Sequence, residues 1–466
     1  MNILRCLTGA KWGNSPKSLM MVYRAYIRSL LDYGCEAYDS ASMTKKNVLN
    51  SIQYQALRIC ANALPLTPLI SLQVEMGELP LDLRRHMLAC KYRQKMENIL
   101  NHPIKDQIKL CWQFEYLKDK KSSKPFGFRT QDFEYFESET YFWTSPPIWK
   151  LHQPYISIEL SQHLNKKDNP HLLKQSSLDL INLKWKTQLH IYTDGSKDPQ
   201  SSTSAAAFWV PALHIKKAKR LNNHTSSYRA ELAAIMLALT WLEDADLHSG
   251  AVIFSDSLSS LLAIKQQKEE HFVLEIIIKV THLYFRNINI CLEWIPSHCG
   301  IMGNEIADLN AKQALKKPIS INNKLNITEI NSQISVYFVE QWQQRWKVSN
   351  NFLQFFKPKV TTHYEMDHLN RRSETIIRRL RLGVTGLNCD LVRIGAHPTG
   401  HCEYCLELET VTHYLMECRK YVIERAMLLT ETSKTYEIEI LEMLKSPHVD
   451  TQKAIVRFVD RTRRFW

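Results

Sequence analysis

The sequence predicts an α/β domain built on a mixed sheet of five strands, flanked by mainly helical N- and C-terminal regions. Three observations carry this. From about residue 186 a meander of strand-like segments gives way to strands alternating with helix-like segments, the pattern of a mixed sheet. Before residue 95 and after residue 318 apolar residues recur at helical spacing instead. Acidic residues also stand at the ends of two strands and on two apolar helices, where packing alone has no use for them.

Composition sets the frame. A chain of 466 residues with 44% apolar and 23% charged residues is an ordinary globular protein of several domains. Its net charge of +13 is uneven: 25 basic against 17 acidic residues in 1–185, 14 against 13 in 186–317, and 21 against 17 in 318–466. Basic flanks around a near-neutral middle suit a polyanionic partner held by the flanks. A soluble basic protein without such a partner has the same balance. The start, "MNILRCLTGAKWGNSPKS", lacks the apolar core of a secretory signal, and no stretch approaches 18 uninterrupted apolar residues. An intracellular protein, nuclear or cytoplasmic, neither secreted nor membrane-bound, is expected. Eleven cysteines there suggest thiols or a metal site rather than disulfides.

Taken in order, residues 1–95 read as helices. "SLMMVYRAYIRSLLDYG" places Leu19, Tyr23, Tyr26, Ile27, Leu30 and Leu31 near helical spacing and ends at Gly34. "KKNVLNSIQYQALRICANAL" repeats the pattern. Residues 96–185 lack clear periodicity and cluster aromatics, lysine and proline ("KDKKSSKPFGF", "YFWTSPPIW"), which reads as a linker with some extended structure. In 186–317, "QLHIYTD", "SAAAFWV", "LHIKKAKRLNN", "AVIFSD" and "NINICLEW" are the strands. "SSYRAELAAIMLALTWL", "SLSSLLAIKQQ", "EEHFVLEIIIKVTHLYF" and "NEIADLNAKQALKK" are the helices. Beyond that lie a basic helical region, 318–398, and a cysteine-bearing region, 399–466.

Four carboxylates in the middle domain invite explanation. Asp194 ends the first strand and Asp256 the buried strand "AVIFSD". Glu231 falls on the apolar stripe of its helix, in register with Ile235, Ala238 and Leu242, and Asp308 sits among Ile306, Ala307, Leu309 and Ala311. Carboxylates among core residues are costly unless paired, and gathered like charges repel. A hard divalent cation resolves both problems, and oxygen-only ligands favour Mg²⁺ or Mn²⁺ over Zn²⁺. Each acid alone also admits a local role: Glu231 on a helix surface, Asp256 as the cap of "SLSSLL".

"IYTDGSKD", "SSYRAELAAIMLAL", "VIFSDSLSSLLAI" and "WIPSHCGIMGNEIADLNAKQA" together resemble, in order and separation, the four blocks of the type 1 ribonuclease H family. The resemblance is to the retroelement version, because the stretch between Ser257 and Asn289 is too short for the basic helical handle of some cellular enzymes. It implies a ribonuclease H-like fold with Asp194, Glu231, Asp256 and Asp308 as metal-binding acids and His298 as the histidine of a mobile loop. It further implies two Mg²⁺ (or Mn²⁺) ions bridged by Asp194, one activating the attacking water and one stabilising the leaving 3′ oxygen. The implied substrate is the RNA strand of an RNA–DNA hybrid, read without sequence specificity and with no small-molecule cofactor. Ser196, Asn304 and Glu305 are candidate supporting or substrate contacts, with Asn304 alternatively a helix cap.

In the C-terminal flank, "HCEYCLELETVTHYLMEC" spaces Cys402, Cys405, His413 and Cys418 as C-x₂-C-x₇-H-x₄-C, which matches a structural tetrahedral Zn²⁺ site, with His401 a rival ligand. Similar motifs occur in non-LTR retrotransposon polyproteins. Arg371, Arg372, Arg378, Arg379 and Arg381 crowd one helix, either as a phosphate track for nucleic acid or as a solvated face. Residues 1–95, with "YIRSLLDYGCEAYDSAS" and "VEMGELPLDLRR", resemble the thumb end of a retroelement reverse transcriptase. No Asp-Asp dipeptide occurs, so polymerisation is not expected. The chain is thus expected to be the C-terminal part of a retrotransposon polyprotein acting as a hybrid-cleaving nuclease. The alternatives are a non-catalytic nucleic-acid-binding remnant, and a DNA junction resolvase or integrase of the same architecture, which the TDGS block and the His298 spacing disfavour.

Overall fold

The computed structural model describes residues 1–9, 12–99, 102–111, 113, 124–131, 147–164, 168–245, 250–321, 323–364, 369–433, 438–446 and 448–464. Two compact units emerge. One comprises Met1–Met96, His102–Glu134 and Ile334–Trp466, and the other Glu97–Asn101 and Tyr135–Gln333.

The second unit holds the sheet. Its strands are β1 (Tyr155–Ser157), β2 (Leu189–Asp198), β3 (Thr203–Val210), β4 (Ile215–Arg220), β5 (Ala251–Ser255) and β6 (Ile290–Trp294), in the order β1-β6-β5-β2-β3-β4. Strands β1, β6, β5 and β2 pair in parallel, whereas β3 and β4 continue from β2 as an antiparallel meander. The pleat of β2 and β5 divides the core in two. Ile191 and Ile253 face the helices Ser227–Asp244, Leu258–Lys265 and His271–Phe285, together with Phe208 and Leu292. Tyr192, Val252 and Phe254 face the other way, onto Leu173, Ile181 and Trp185, and onto Ala307 of the helix Met302–Ala314. Burial on both faces explains why "AVIFS" is apolar throughout rather than alternating.

Two expectations need correcting. The sheet has six strands, not five. The added strand β1 comes from the stretch read as a linker, pairing Tyr155 with Cys291 and Ser157 with Glu293. The same stretch supplies the helix Pro170–Lys184, which starts with Pro170 at its first turn and the Asn169 side chain accepting from the His171 N–H. Three residues are too few to display a period of two, and β1 has a place only because β6 offers it an open edge.

Glu293 ties these additions to the sheet. It is fully buried, and its two oxygens accept from Ser157 Oγ (2.8 Å) and Trp185 Nε1 (2.9 Å). Burial pushes its carboxyl up, while those two bonds and Lys184 pull the other way.

The first unit is helical among its described residues. Trp342 and Trp346 are fully buried there, and the helix Arg371–Leu382 abuts the C-terminal end of the helix Met43–Ala61. Arg371 donates to the Ile59 carbonyl (3.3 Å), Arg378 to that of Ala61 (2.9 Å) and Arg379 to that of Asn62 (3.0 Å). Helix C-termini leave carbonyls unpaired and carry partial negative charge, so guanidinium donors are matched to them.

Replacing Trp185 by Phe keeps the ring packing but strips one buried Glu293 oxygen of its donor. This is expected to destabilise the sheet unit by about 1–3 kcal/mol, read as a lower urea midpoint at unchanged slope.

Candidate active site

The centre of the sheet assembles the site. Thr193 pairs with Ser255, so Asp194 and Asp256, each one residue further on, emerge side by side from two parallel strands. Only β5 ends there, at Ser255; β2 runs on to Asp198 because its pairing with β3 continues, so Asp194 lies within its strand and not at its end as the sequence suggested. The crevice beyond the end of β5 is the usual ligand-binding edge of an open α/β sheet. Glu231 arrives from the helix Ser227–Asp244, whose start is fixed by Ser226 Oγ accepting from the Arg229 N–H. That helix lies so close to β2 that a Cβ on Gly195 would stand 2.3 Å from the Glu231 nitrogen. Only glycine permits the approach. Ligand oxygens of Asp194, Glu231 and Asp256 consequently lie within 4.8 Å of one another.

The fourth acid joins a neighbouring group. Asp308 lies with Glu305 and His298 within the same 4.8 Å limit, and Lys312 Nζ donates to its Oδ2 at 2.6 Å. Its helix can press against the sheet because Gly303 sits on the Tyr192 ring, where a Cβ would come within 2.3 Å of ring carbons. His298 is exposed, with left-handed backbone (φ 52°). Next to Cys299 follows Gly300, also left-handed, whose N–H donates to Glu305 Oε1 at 3.3 Å. The structure therefore brings three of the expected acids into one cluster and places Asp308 and His298 in a second, with Glu305 as a further member. The signal for Glu305 is its position one helical turn before Asp308.

Electrostatics record the crowding. Burial, then the negative charges of Asp256 and Asp308, push the Asp194 carboxyl up to about 8, with Lys312 opposing. Glu231 is raised too, by burial first and then by Asp194 and Asp256, against a bond from the Gly195 backbone. Its Oε2 is buried without a hydrogen-bond partner. A partnerless buried oxygen amid carboxylates, with no thiol or imidazole in the inner group, fits a hard divalent cation.

Asn304 does not cap its helix, whose first residue is Met302. It is buried and donates from Nδ2 to Asp256 Oδ2 at 3.3 Å, steadying that carboxylate. Ser196 is half-buried on β2, opposite Ala205 of β3.

The arginine helix is not an exposed track. Arg371, Arg378 and Arg381 are buried and Arg379 is half-buried, turned onto the carbonyls described above and, for Arg381, onto Glu75 at 3.2 Å. Arg372 pairs with Asp460. A solvated face is corrected likewise, because the helix-end carbonyls and Glu75 draw the guanidiniums inward.

The Cys402, Cys405, His413 and Cys418 ligand atoms also lie within 4.8 Å of one another. Cys418 Sγ is 3.8 Å from that of Cys402 and 3.7 Å from that of Cys405. His413 is buried, and neither ring nitrogen has a hydrogen-bond partner, although a Glu407 oxygen lies 3.3 Å from Nδ1. Three sulfurs and an orphaned imidazole fit Zn²⁺. His401, exposed beside Leu408, is outside the cluster.

Residues 186–316 match the family model for RNase H. This segment is a ribonuclease H domain. All five residues singled out as catalytic fall within it, whereas the zinc-type cluster and the arginine helix lie outside the match.

Asp194 titrates well above the ordinary carboxylate range, so the folded, metal-free protein holds a proton that the unfolded chain has released between about pH 4 and pH 8. That stabilisation is complete below the unfolded value and is lost as pH rises through about 8. In chelator, the melting temperature is expected to fall from pH 6 to pH 9, with this one proton contributing at most about 1.4 kcal/mol per pH unit. Asp194→Asn should flatten that slope.

Proposed function

We propose that the chain is a metal-dependent endonuclease that hydrolyses the RNA strand of RNA–DNA hybrids. The carrying observation is the convergence of Asp194, Glu231 and Asp256 around the partnerless Glu231 oxygen, next to His298, Glu305 and Asp308, inside a ribonuclease H domain.

Asp194, Glu231 and Asp256 would hold Mg²⁺ or Mn²⁺, and Asp308 would extend the ligand set toward a second ion. When bound, the cations supply Lewis-acid stabilisation of the scissile phosphate and lower the pKa of an attacking water. The remaining work falls to the chain. Asn304 fixes the orientation of the Asp256 carboxylate, and Lys312 restrains Asp308 while offsetting the local negative charge. His298, exposed on its loop beside Asp308, would take or deliver a proton at the phosphate. Ser196 is offered as a substrate contact on the same strand as Asp194. Recognition of the hybrid would then rest on its backbone and 2′-hydroxyls.

The four-residue cluster at 402–418 is proposed to bind structural Zn²⁺. Together with the thumb-like N-terminal sequence, it supports an origin of the chain in a retrotransposon polyprotein.

Asp194→Asn is expected to lower Mg²⁺-dependent cleavage of a labelled RNA–DNA hybrid by about 10³-fold or more, equivalent to several kcal/mol of lost charge stabilisation. Hybrid binding should persist. A folded wild type that binds without cutting would leave the non-catalytic alternative. Separately, elemental analysis of protein purified without chelator should find one zinc per chain, with Cys402→Ser abolishing it. Zinc content unchanged by that substitution would refute the site.

A further inference from the structure

In the helical unit, a pocket of about 360 Å³ opens beside the C-terminal end of the helix Met43–Ala61, and four guanidiniums line it: Arg5, Arg58, Arg371 and Arg379. Asn62 and Thr8 add polar atoms, and no acidic side chain is among the described lining residues. Its size is that of a small-ligand site.

The four arginines are not equivalent. Arg371 donates to the carbonyls of Gly9 (3.2 Å), Asn14 (2.9 Å) and Ile59 (3.3 Å), and Arg379 Nε donates to that of Asn62. A guanidinium carries five N–H donors, so the three bonds of Arg371 leave two. Arg5 is exposed and Arg58 half-buried, and neither side chain has a hydrogen bond or ion pair among the described residues. No side-chain bond among the described residues accounts for their standing beside two further cations.

The neighbourhood is short of negative charge. The nearest acid on the Arg371 helix, Glu374, is already engaged by Arg378 (3.4 Å) and by the Tyr364 hydroxyl (3.2 Å). Helix-end carbonyls offer only about half a unit of charge. Burial, followed by the repulsion of Arg378, lowers both Arg371 and Arg379, the latter to about 10. An anion in the pocket would relieve that repulsion and occupy the idle donors.

We infer that this pocket binds a phosphate-type oxyanion, gripped by Arg5 and Arg58 from its rim and by Arg371 and Arg379 from its floor. Forked, planar guanidiniums match the tetrahedral oxygens of a phosphate better than a single ammonium does. The phosphate can belong to a nucleic-acid strand or be free. The inference does not depend on the hydrolytic reading, because its residues lie outside the ribonuclease H domain.

The test uses the full-length chain with Arg5→Gln, Arg58→Gln and the double variant, because the two native side chains make no hydrogen bond or ion pair among the described residues. Calorimetric titration with inorganic phosphate is expected to show one saturable site, weakened about tenfold by each substitution and lost in the double variant, at unchanged melting temperature. In a second arm, a labelled single-stranded oligodeoxynucleotide is titrated at several salt concentrations. If the double variant also weakens this binding and lowers the salt slope by one to two units, the phosphate belongs to a strand. If only inorganic phosphate binding falls, the site serves a free phosphate. Identical behaviour of wild type and double variant in both arms, or no saturable phosphate binding with unaltered oligonucleotide binding, would overturn the inference.

Discussion

Everything at the candidate site depends on one close approach, the seating of the helix Ser227–Asp244 on β2 at Gly195. A methyl group there would stand 2.3 Å from the Glu231 nitrogen and 2.4 Å from the Ala230 carbonyl carbon. The contact holds Glu231 beside Asp194, and β2–β5 register adds Asp256. Three carboxylates so placed repel one another, and the raised Asp194 and Glu231 carboxyls are the measure of it. The two apolar layers supply the stability that lets such a cluster persist.

Position in the sheet matters as much as proximity. Strand β2 has a parallel neighbour on one side and an antiparallel one on the other. The crevice beside the end of β5 and the middle of β2 therefore lies where the topology changes, with one helix on each face reaching it: Glu231 from one, Asp308 from the other. Layering decides their division of labour. Glu231 is nearly sealed at 8% exposure, while Asp308 stays partly open beside the exposed His298. A buried inner group and an open outer group suit chemistry that needs fixed ligands on one side and access for a strand on the other.

The arginines show how one residue type serves two purposes within one helical unit. Arg378 completes the end of a helix, engaging the Ala61 carbonyl and Glu374. Arg371 and Arg379 do similar work and also line a pocket, together with Arg5 and Arg58.

Much of this was legible in the chain. Periods of two and 3.6 located β2 to β6 and their helices, and the four acids stood out because each interrupts an apolar pattern that local physics otherwise explains. Spacing likewise marked Cys402, Cys405, His413 and Cys418, since metal-ligating intervals are short-range. Strand β1 was invisible, because three residues carry no period and its place depends on β6, more than 130 residues away. So was the inward turn of Arg371, Arg378 and Arg379, whose acceptors Ile59, Ala61 and Asn62 lie at the end of the helix Met43–Ala61 some 300 residues earlier. The sequence by itself determined the periodic elements and which acids interrupt them. Only the tertiary structure decided that Asp308 groups with His298 and Glu305, and that the arginines close a pocket, because those relations are set by packing between segments remote along the chain.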